Sequence, residues 1–171
     1  MDAQRKRLVV VRHAKSAWPP GVPDRKRPLG PRGLRDAPRM GARIREQVGR
    51  PDLAVVSPAA RAQETWQLLA EEIGPVPEVR TDDRIYDEWG ALMIDLVREL
   101  PGGAATVVLV GHEPGVSRLV LQLADRANAA ERDRISAKFP TCAAAVLAVA
   151  GAWAGAVPGS ATLEWFRTPR D

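Results

Sequence analysis

The sequence contains two histidines, and each directly follows an apolar run. His13 comes after LVVVR, so that Arg12 precedes it, and His112 comes after TVVLVG. Arg61 lies four residues beyond a third apolar run, LAVVS. Imidazole can act as a nucleophile or a proton donor near neutral pH, and the planar guanidinium binds phosphate oxygens in pairs. These residue types together indicate chemistry on a phosphoryl group.

The pattern predicts nucleophilic displacement at phosphorus. A neutral His13 would attack and become phosphohistidine, and water would then release phosphate and regenerate the ring. Arg12 and Arg61 would neutralise charge on the equatorial oxygens, and a protonated His112 would add a third donor. Because one imidazole must be neutral while the other carries a proton, we expect separated pKa values and a bell-shaped rate profile.

The three apolar runs are typical of buried parallel strands, and the chain alternates between such runs and helical patterns. This alternation predicts an α/β fold with three layers, α/β/α, around a mostly parallel central sheet. In sheets of this type ligands bind beyond the carboxyl ends of the strands. We therefore expect the two histidines and two arginines to surround one crevice.

The remaining elements follow from periodicity and from helix breakers. One helix is predicted from Pro31, with a kink or late start at Pro38, and another from Pro58 with Ser57 as its N-cap. Residues 14–29 form a proline-rich loop, and the length suits one domain over 1–171. The other predicted elements are strands at 78–81, 143–149 and 161–166 and helices at 92–100, 114–124 and 131–138.

Other hydrolase and phosphate-binding chemistries lack their motifs. The sequence has neither a GxxxxGK[ST] loop nor a GxSxG elbow. Cys142 is followed by AAAVLA without an arginine that could clamp phosphate. With neither CxxC nor HExxH, a zinc site would need several carboxylates. We expect neither a metal nor another cofactor.

Composition and charge indicate the cellular environment of the protein and the kind of partner that it binds. Hydrophobic residues make up 45% and charged residues 27%, as in ordinary globular domains. The longest apolar run, 142–151, is too short to span a bilayer, no signal peptide is evident, and one cysteine suits a reducing cytoplasm. Residues 1–50 carry 14 basic and four acidic side chains, which favours an anionic partner. Nucleic acid is not expected, because this region has one aromatic residue, Trp18, and no recognised binding module.

Three motifs together resemble the histidine phosphatase superfamily, which has the phosphoglycerate mutase-like fold. VVVRHAKS (9–16) is similar to its RHG/A signature, SPAARAQET (57–65) to its arginine motif and LVGHEPGVS (109–117) to its second histidine motif. RHAKS, DRKRPLGPRG (24–33), ISAKFPT (135–141) and the short length resemble the SixA-like phosphohistidine phosphatase branch. The resemblance implies a catalytic pocket of Arg12, His13, Arg61 and His112, with His13 as the phosphorylated nucleophile.

The acid that protonates the leaving oxygen in many family members has no clear counterpart. Candidates are Asp87 and Glu88 in IYDEWG, and Glu113 beside His112. The lack of a clear proton donor slows hydrolysis of a phosphoramidate less than that of an alkyl phosphate, because imidazole leaves easily. This favours phosphohistidine as the substrate.

The short stretch between Arg61 and Arg80 leaves little chain for a lid over the pocket. An open pocket suits a phosphorylated side chain on a protein, and a basic rim would attract it. The candidate rim residues are Lys15, Ser16, Arg25 and Arg27. Two alternatives remain open: a phosphatase of small phosphate esters with the same residues, and a non-catalytic module that only binds phosphate or nucleic acid.

Overall fold

A computed structural model describes residues 5–87 and 91–171 of the chain. Within these ranges six strands form one sheet in the order β3-β2-β4-β1-β5-β6. Strands β1 to β4 pair in parallel, whereas β5 runs antiparallel to both β1 and β6. The strands are β1 (Lys6–Arg12), β2 (Leu53–Val56), β3 (Glu78–Thr81), β4 (Thr106–Gly111), β5 (Ala144–Val149) and β6 (Ala161–Arg167).

Helices cover both faces of the sheet. They are α1 (Pro31–Val48), α2 (Ala60–Ile73), α3 (Ala91–Arg98), α4 (Gly115–Leu123) and α5 (Ala129–Ala137). Helices α1 and α2 pack on one face, and α3, α4 and α5 pack on the other. The predicted three-layer α/β/α architecture with a mostly parallel sheet is confirmed. None of the helices in the described ranges is long and apolar enough to cross a membrane.

The central strands are apolar on both sides because both faces of the sheet are covered. In β1, Leu8 and Val10 contact the layer of α3 to α5, and Val9 and Val11 contact the layer of α1 and α2. All four side chains are fully buried. A continuous apolar run is therefore what this strand requires, which is why the sequence pattern located it.

One of the two predicted helix starts is confirmed and the other is wrong. Helix α1 begins at Pro31, as predicted, and continues through Pro38, so the alternative of a late start is excluded. Helix α2 begins at Ala60 with Ala59 as its N-cap, so the prediction of Ser57 as the N-cap is wrong. The hydroxyl of Ser57 instead forms a hydrogen bond with the ring of His112. This bond connects the residue that follows β2 to the residue that follows β4.

The sheet order brings three strand ends together. Strand β4 lies between β2 and β1, with Arg12 paired to Gly111 and Val56 paired to Val110. The residues that follow these strands, His13, Ser57 and His112, therefore leave the sheet at the same edge.

Candidate active site

The carboxyl edge of β1, β2 and β4 opens into a cavity of about 610 Å³. All four residues that the sequence pattern singled out line it, together with four further side chains from the part of the chain that the structure describes. The lining residues are Arg12, His13, Asp24, Arg61, Tyr86, Asp87, His112 and Glu113. The cavity thus combines two imidazoles and two guanidiniums from segments that are distant in sequence.

His13 has one ring nitrogen committed to the backbone. Its Nδ1 lies 2.7 Å from the carbonyl oxygen of Ala14. Because a carbonyl oxygen can only accept, Nδ1 carries the proton and Nε2 holds the lone pair. Burial, followed by the charges of His112, Arg61 and Arg12, lowers the pKa of His13 to about 3. At neutral pH His13 is therefore an uncharged ring with an unprotonated Nε2, as a nucleophile must be.

His112 faces His13, with 5.0 Å between the ring centroids. Its Nε2 lies 2.6 Å from Oγ of Ser57, and this oxygen accepts a hydrogen bond from the backbone N–H of Ala59 at 3.3 Å. We infer that the hydroxyl of Ser57 donates to Nε2, which places the ring proton of a neutral His112 on Nδ1. This Nδ1 is buried without a partner in the described part of the chain, and it can donate to a phosphoryl oxygen.

The pKa values of His13 and His112 differ less than we expected from the sequence. Burial, followed by the charge of Arg61, lowers the pKa of His112 to about 4, close to that of His13. Both rings are buried beside the same guanidiniums, so both are neutral in the free pocket at pH 7, and the expected protonated His112 is absent from it. A phosphoryl dianion would favour protonation of His112 by its opposite charge.

Each of the two arginines is held by a backbone carbonyl oxygen. Nη1 of Arg12 donates to the carbonyl oxygen of Phe139 at 2.8 Å. Arg61 lies in the first turn of α2, and its Nη1 donates to the carbonyl oxygen of Asp24 at 2.8 Å. The Nε atoms of both side chains are buried without a hydrogen-bond partner among the described residues. Both guanidiniums therefore keep donor capacity for an anion.

Asp24 is a pocket residue that the sequence analysis missed. Its carboxylate accepts from Arg27 at 3.0 Å, from Tyr86 at 2.8 Å and from Arg61 at 3.2 Å. Burial opposes ionisation, but these hydrogen bonds lower the pKa of Asp24 to about 2. Asp24 is therefore ionised near neutral pH, and it joins the loop of residues 14–29 to α2 and to Tyr86.

Tyr86 and Ser57 were also missed as site residues. Tyr86 lines the cavity and stands edge-on to the ring of His112, with 5.6 Å between centroids. The sequence feature that could have identified Ser57 is its position directly after the apolar run of β2, the strand that lies beside β4. The only signal for Asp24 was its place at the start of DRKRPLGPRG, because it lies in a 3-10 helix (Asp24–Lys26) within a loop that has no periodicity.

The candidate general acids have different surroundings. Asp87 and Glu113 both line the cavity. The carboxylate of Glu113 accepts the backbone N–H of Ser117 at 3.0 Å, which ties it to the first turn of α4. The third candidate, Glu88, lies outside the described residues. Asp87 and Glu113 are thus near the histidines, and Glu113 already has a backbone partner.

The four candidate rim residues separate into three groups. Arg25 is exposed, donates to Asp83 at 2.8 Å and lies over the ring of Tyr86 at the cavity edge. Lys15 lines a different cavity, described below. Ser16 and Arg27 are buried and bonded to each other at 2.6 Å, so the expectation of a solvated rim is corrected for both. They hold the loop together because Arg27 also binds Asp24.

Cys142 is buried, away from the lining of the cavity. Burial raises the pKa of its thiol well above the usual range. Its backbone N–H instead donates to the carbonyl oxygens of Arg12 and His13, both at 3.1 Å. The residue adopts a positive φ of 61°, and the resulting turn supports the end of β1.

Comparison with known proteins identifies the family. The model of the histidine phosphatase superfamily (branch 1) matches residues 8–93. An uncharacterized protein of Mycobacterium tuberculosis is 41% identical over 162 residues, covering 94% of this chain and 100% of that protein. An uncharacterized protein of Mycobacterium leprae is 36% identical over 165 residues, with coverage of 94% and 100%. The likeness therefore extends well beyond the matched motifs.

Solved structures show the same similarity. A structure assigned to the phosphohistidine phosphatase SixA of Nakamurella multipartitia superposes with a TM-score of 0.85 at 28% identity and covers 98% of both chains. A structure likewise assigned to SixA of Agrobacterium tumefaciens has a TM-score of 0.80 at 25% identity, covering 96% of this chain and 98% of that one. The matched family model, the mycobacterial relatives and the fold agree: the chain belongs to the histidine phosphatase superfamily and is a phosphatase.

Proposed function

We propose that the protein removes the phosphoryl group from phosphohistidine on a partner protein, through a covalent phosphohistidine formed on its own His13. The observation that carries the proposal is the arrangement of His13. Its Nδ1 is held by the carbonyl of Ala14, its Nε2 has no hydrogen-bond partner among residues 5–87 and 91–171, and the ring shares a cavity with Arg12, Arg61 and His112. A metal has no part in this scheme.

In the first step Nε2 of His13 attacks phosphorus, and the bond from phosphorus to the substrate nitrogen breaks. The substrate imidazole leaves as a neutral ring when its other nitrogen carries a proton from solvent. Arg12, Arg61 and the N–H of His112 stabilise the negative oxygens as the bonds exchange. This leaving group makes little demand on a protein acid.

In the second step a water oxygen attacks the phosphoryl group on His13. The bond between Nε2 and phosphorus breaks, its electron pair returns to the ring, and the proton of the water passes to phosphate or solvent. His13 is again neutral, and inorganic phosphate leaves the cavity. The low pKa of His13, about 3, keeps the ring ready for another cycle at pH 7.

Three observations support a protein phosphohistidine rather than a small phosphate ester. Asp24, a cavity carboxylate in contact with Arg61, is ionised near neutral pH, so an alkoxide leaving group would need its proton from Asp87 or Glu113, whereas imidazole makes no such demand. The two SixA structures resemble this chain over nearly its whole length. The basic first 50 residues would attract an acidic partner. We further propose that the protein acts in the cytoplasm, which its single buried thiol suits.

A substrate panel with excess chelator tests the proposal. We expect kcat/KM for phosphohistidine peptides to exceed that for sugar and nucleotide phosphates by about tenfold or more, and His13→Ala to abolish turnover of both. Arg126→Ala, a change at an exposed position on the α4–α5 connection, serves as the control and should keep wild-type rates.

A preference for small esters would contradict the substrate assignment and leave the chemistry intact. Binding of inorganic phosphate without turnover of any substrate would contradict the enzymatic proposal. It would support the alternative of a module that only binds anions.

A further inference from the structure

Arg12 lines a second cavity, of about 340 Å³, in addition to the catalytic one. Four segments of the chain form this cavity: the exit of β1, the start of α1, the segment between α5 and β5, and the residues after β6. We call it the basic cleft, because five of its lining residues are cationic. These are Arg12, Lys15, Arg32, Lys138 and Arg170.

The positive charge of the basic cleft is largely uncompensated. None of the lining residues that the structure describes is acidic. Arg170 has an ion pair with the buried Asp36 at 3.8 Å, but Lys15 and Lys138 have no ion pair within the described ranges. Close like charges in a concave site repel each other and favour the binding of an anion.

The start of α1 adds to this charge. Arg32 is the second residue of an 18-residue helix that has no side-chain cap and no acidic residue in its first turn. The helix start packs closely on the exit of β1, where a Cβ at Gly33 would lie 2.3 Å from the carbonyl oxygen of Lys15. The partial positive charge of the helix N-terminus is therefore close to the Lys15 side of the cleft.

Because Arg12 lines both cavities, one ligand can contact both. We propose that the basic cleft binds an aspartate or glutamate side chain of the same protein segment whose phosphohistidine enters the catalytic cavity. This inference rests on the proposed function and adds a substrate requirement to it: an acidic residue close to the phosphohistidine. Thr141 and Thr168 provide hydroxyl donors beside the cations for such a carboxylate.

Paired phosphohistidine peptides test this inference. One member of each pair carries glutamates beside the phosphohistidine, and the other carries glutamines at the same positions. For the wild-type protein we expect kcat/KM to be about fivefold higher for the glutamate peptide at low salt, since each exposed ion pair contributes modestly. The preference should shrink as salt is added, because ions screen exposed charges.

The double variant Lys15→Ala/Lys138→Ala should reduce this ratio to about one, whereas Arg126→Ala, which removes a charge elsewhere on the surface, should keep it. Turnover of the glutamine peptide by the wild-type protein shows separately whether the proposed chemistry takes place. Absence of turnover of both peptides would contradict the proposed function. Turnover of both, together with a ratio that is unchanged in the double variant, would overturn only the basic cleft. A preference for small molecules with two phosphates, lost in the double variant, would overturn the acidic peptide as occupant.

Discussion

The proton positions on the two pocket histidines follow from single neighbouring atoms. The carbonyl oxygen of Ala14 requires a proton on Nδ1 of His13, and we infer that the hydroxyl of Ser57 donates to Nε2 of His112 and so leaves the proton of that ring on Nδ1. The first ring thus presents a lone pair to the cavity and the second presents a donor. Two identical side chains acquire opposite roles from their hydrogen bonds, and burial keeps both uncharged.

Ser57→Ala tests this assignment at one hydroxyl. Without the hydroxyl donor, Nε2 of His112 can take the ring proton and the donor at Nδ1 is lost, so we expect kcat to fall about tenfold with a smaller change in KM. The ¹⁵N shifts of the His112 ring should show the change of tautomer. Ser136→Ala, an exposed change on α5, serves as the control. An unchanged kcat with the proton still on Nδ1 would contradict the role of Ser57.

At the scale of elements, the site depends on how closely the start of α1 meets the exit of β1. Gly33→Ala places a methyl group against the backbone of Lys15, two residues after His13, with 2.3 Å to the carbonyl oxygen. The backbone must move, so we expect the free energy of unfolding to fall by about 1–3 kcal/mol and kcat/KM to fall with it.

Urea unfolding and steady-state kinetics check this prediction. Gly102→Ala is the matched control, since no atom lies within 4 Å of a Cβ at that position, and its stability should change by less than about 0.5 kcal/mol. Wild-type stability in Gly33→Ala would show that the contact between α1 and the β1 exit tolerates a methyl group.

The arrangement of the strands also determines how much of the site could be predicted from the sequence. Arg12, His13 and His112 follow long apolar runs, and the strand-end rule for parallel sheets is sufficient to bring them together. The role of Ser57 depends on β2 lying next to β4, an adjacency that no local pattern encodes. Asp24 lies in a loop without periodicity, so only its three hydrogen bonds identify it.

The basic cleft could not be predicted from the sequence either, because its formation also depends on which segments lie side by side in the fold. Lys15, Lys138 and Arg170 come from three distant segments, and each by itself is an ordinary surface cation. Lys15 lies two residues after His13, and this closeness in sequence predicts the rim of the catalytic cavity instead. The chain that follows β6 brings Arg170 back beside β1, and only tertiary structure reveals that return.

At the scale of the whole molecule, the buried histidines reduce stability in acid. Their pKa values are lowered to about 3 and about 4 in the folded protein, against about 6.5 in the unfolded chain. The unfolded state therefore binds more protons below pH 6.5, so stability is complete above that pH and is lost as the pH falls toward 4. Between pH 7 and pH 5 we expect a loss of about 2–4 kcal/mol for the pair.

Urea unfolding at several pH values checks this, with the double variant His13→Ala/His112→Ala as the comparison. Its free energy of unfolding should change much less over the same window. Asp24 does not interfere, because its contribution to stability is lost only as the pH falls from its ordinary pKa of 3.8 toward about 2, below the window of the measurement. An identical pH dependence in both proteins would show that these rings are not the buried bases.

The central claim is that the phosphoryl group passes through His13, and rapid quenching during turnover tests it most directly. We expect a phosphoryl group that is stable in alkali and labile in acid, located on His13 by mass spectrometry and absent from His13→Ala. A phosphoryl group on another side chain, or turnover at the wild-type rate by His13→Ala, would contradict the account.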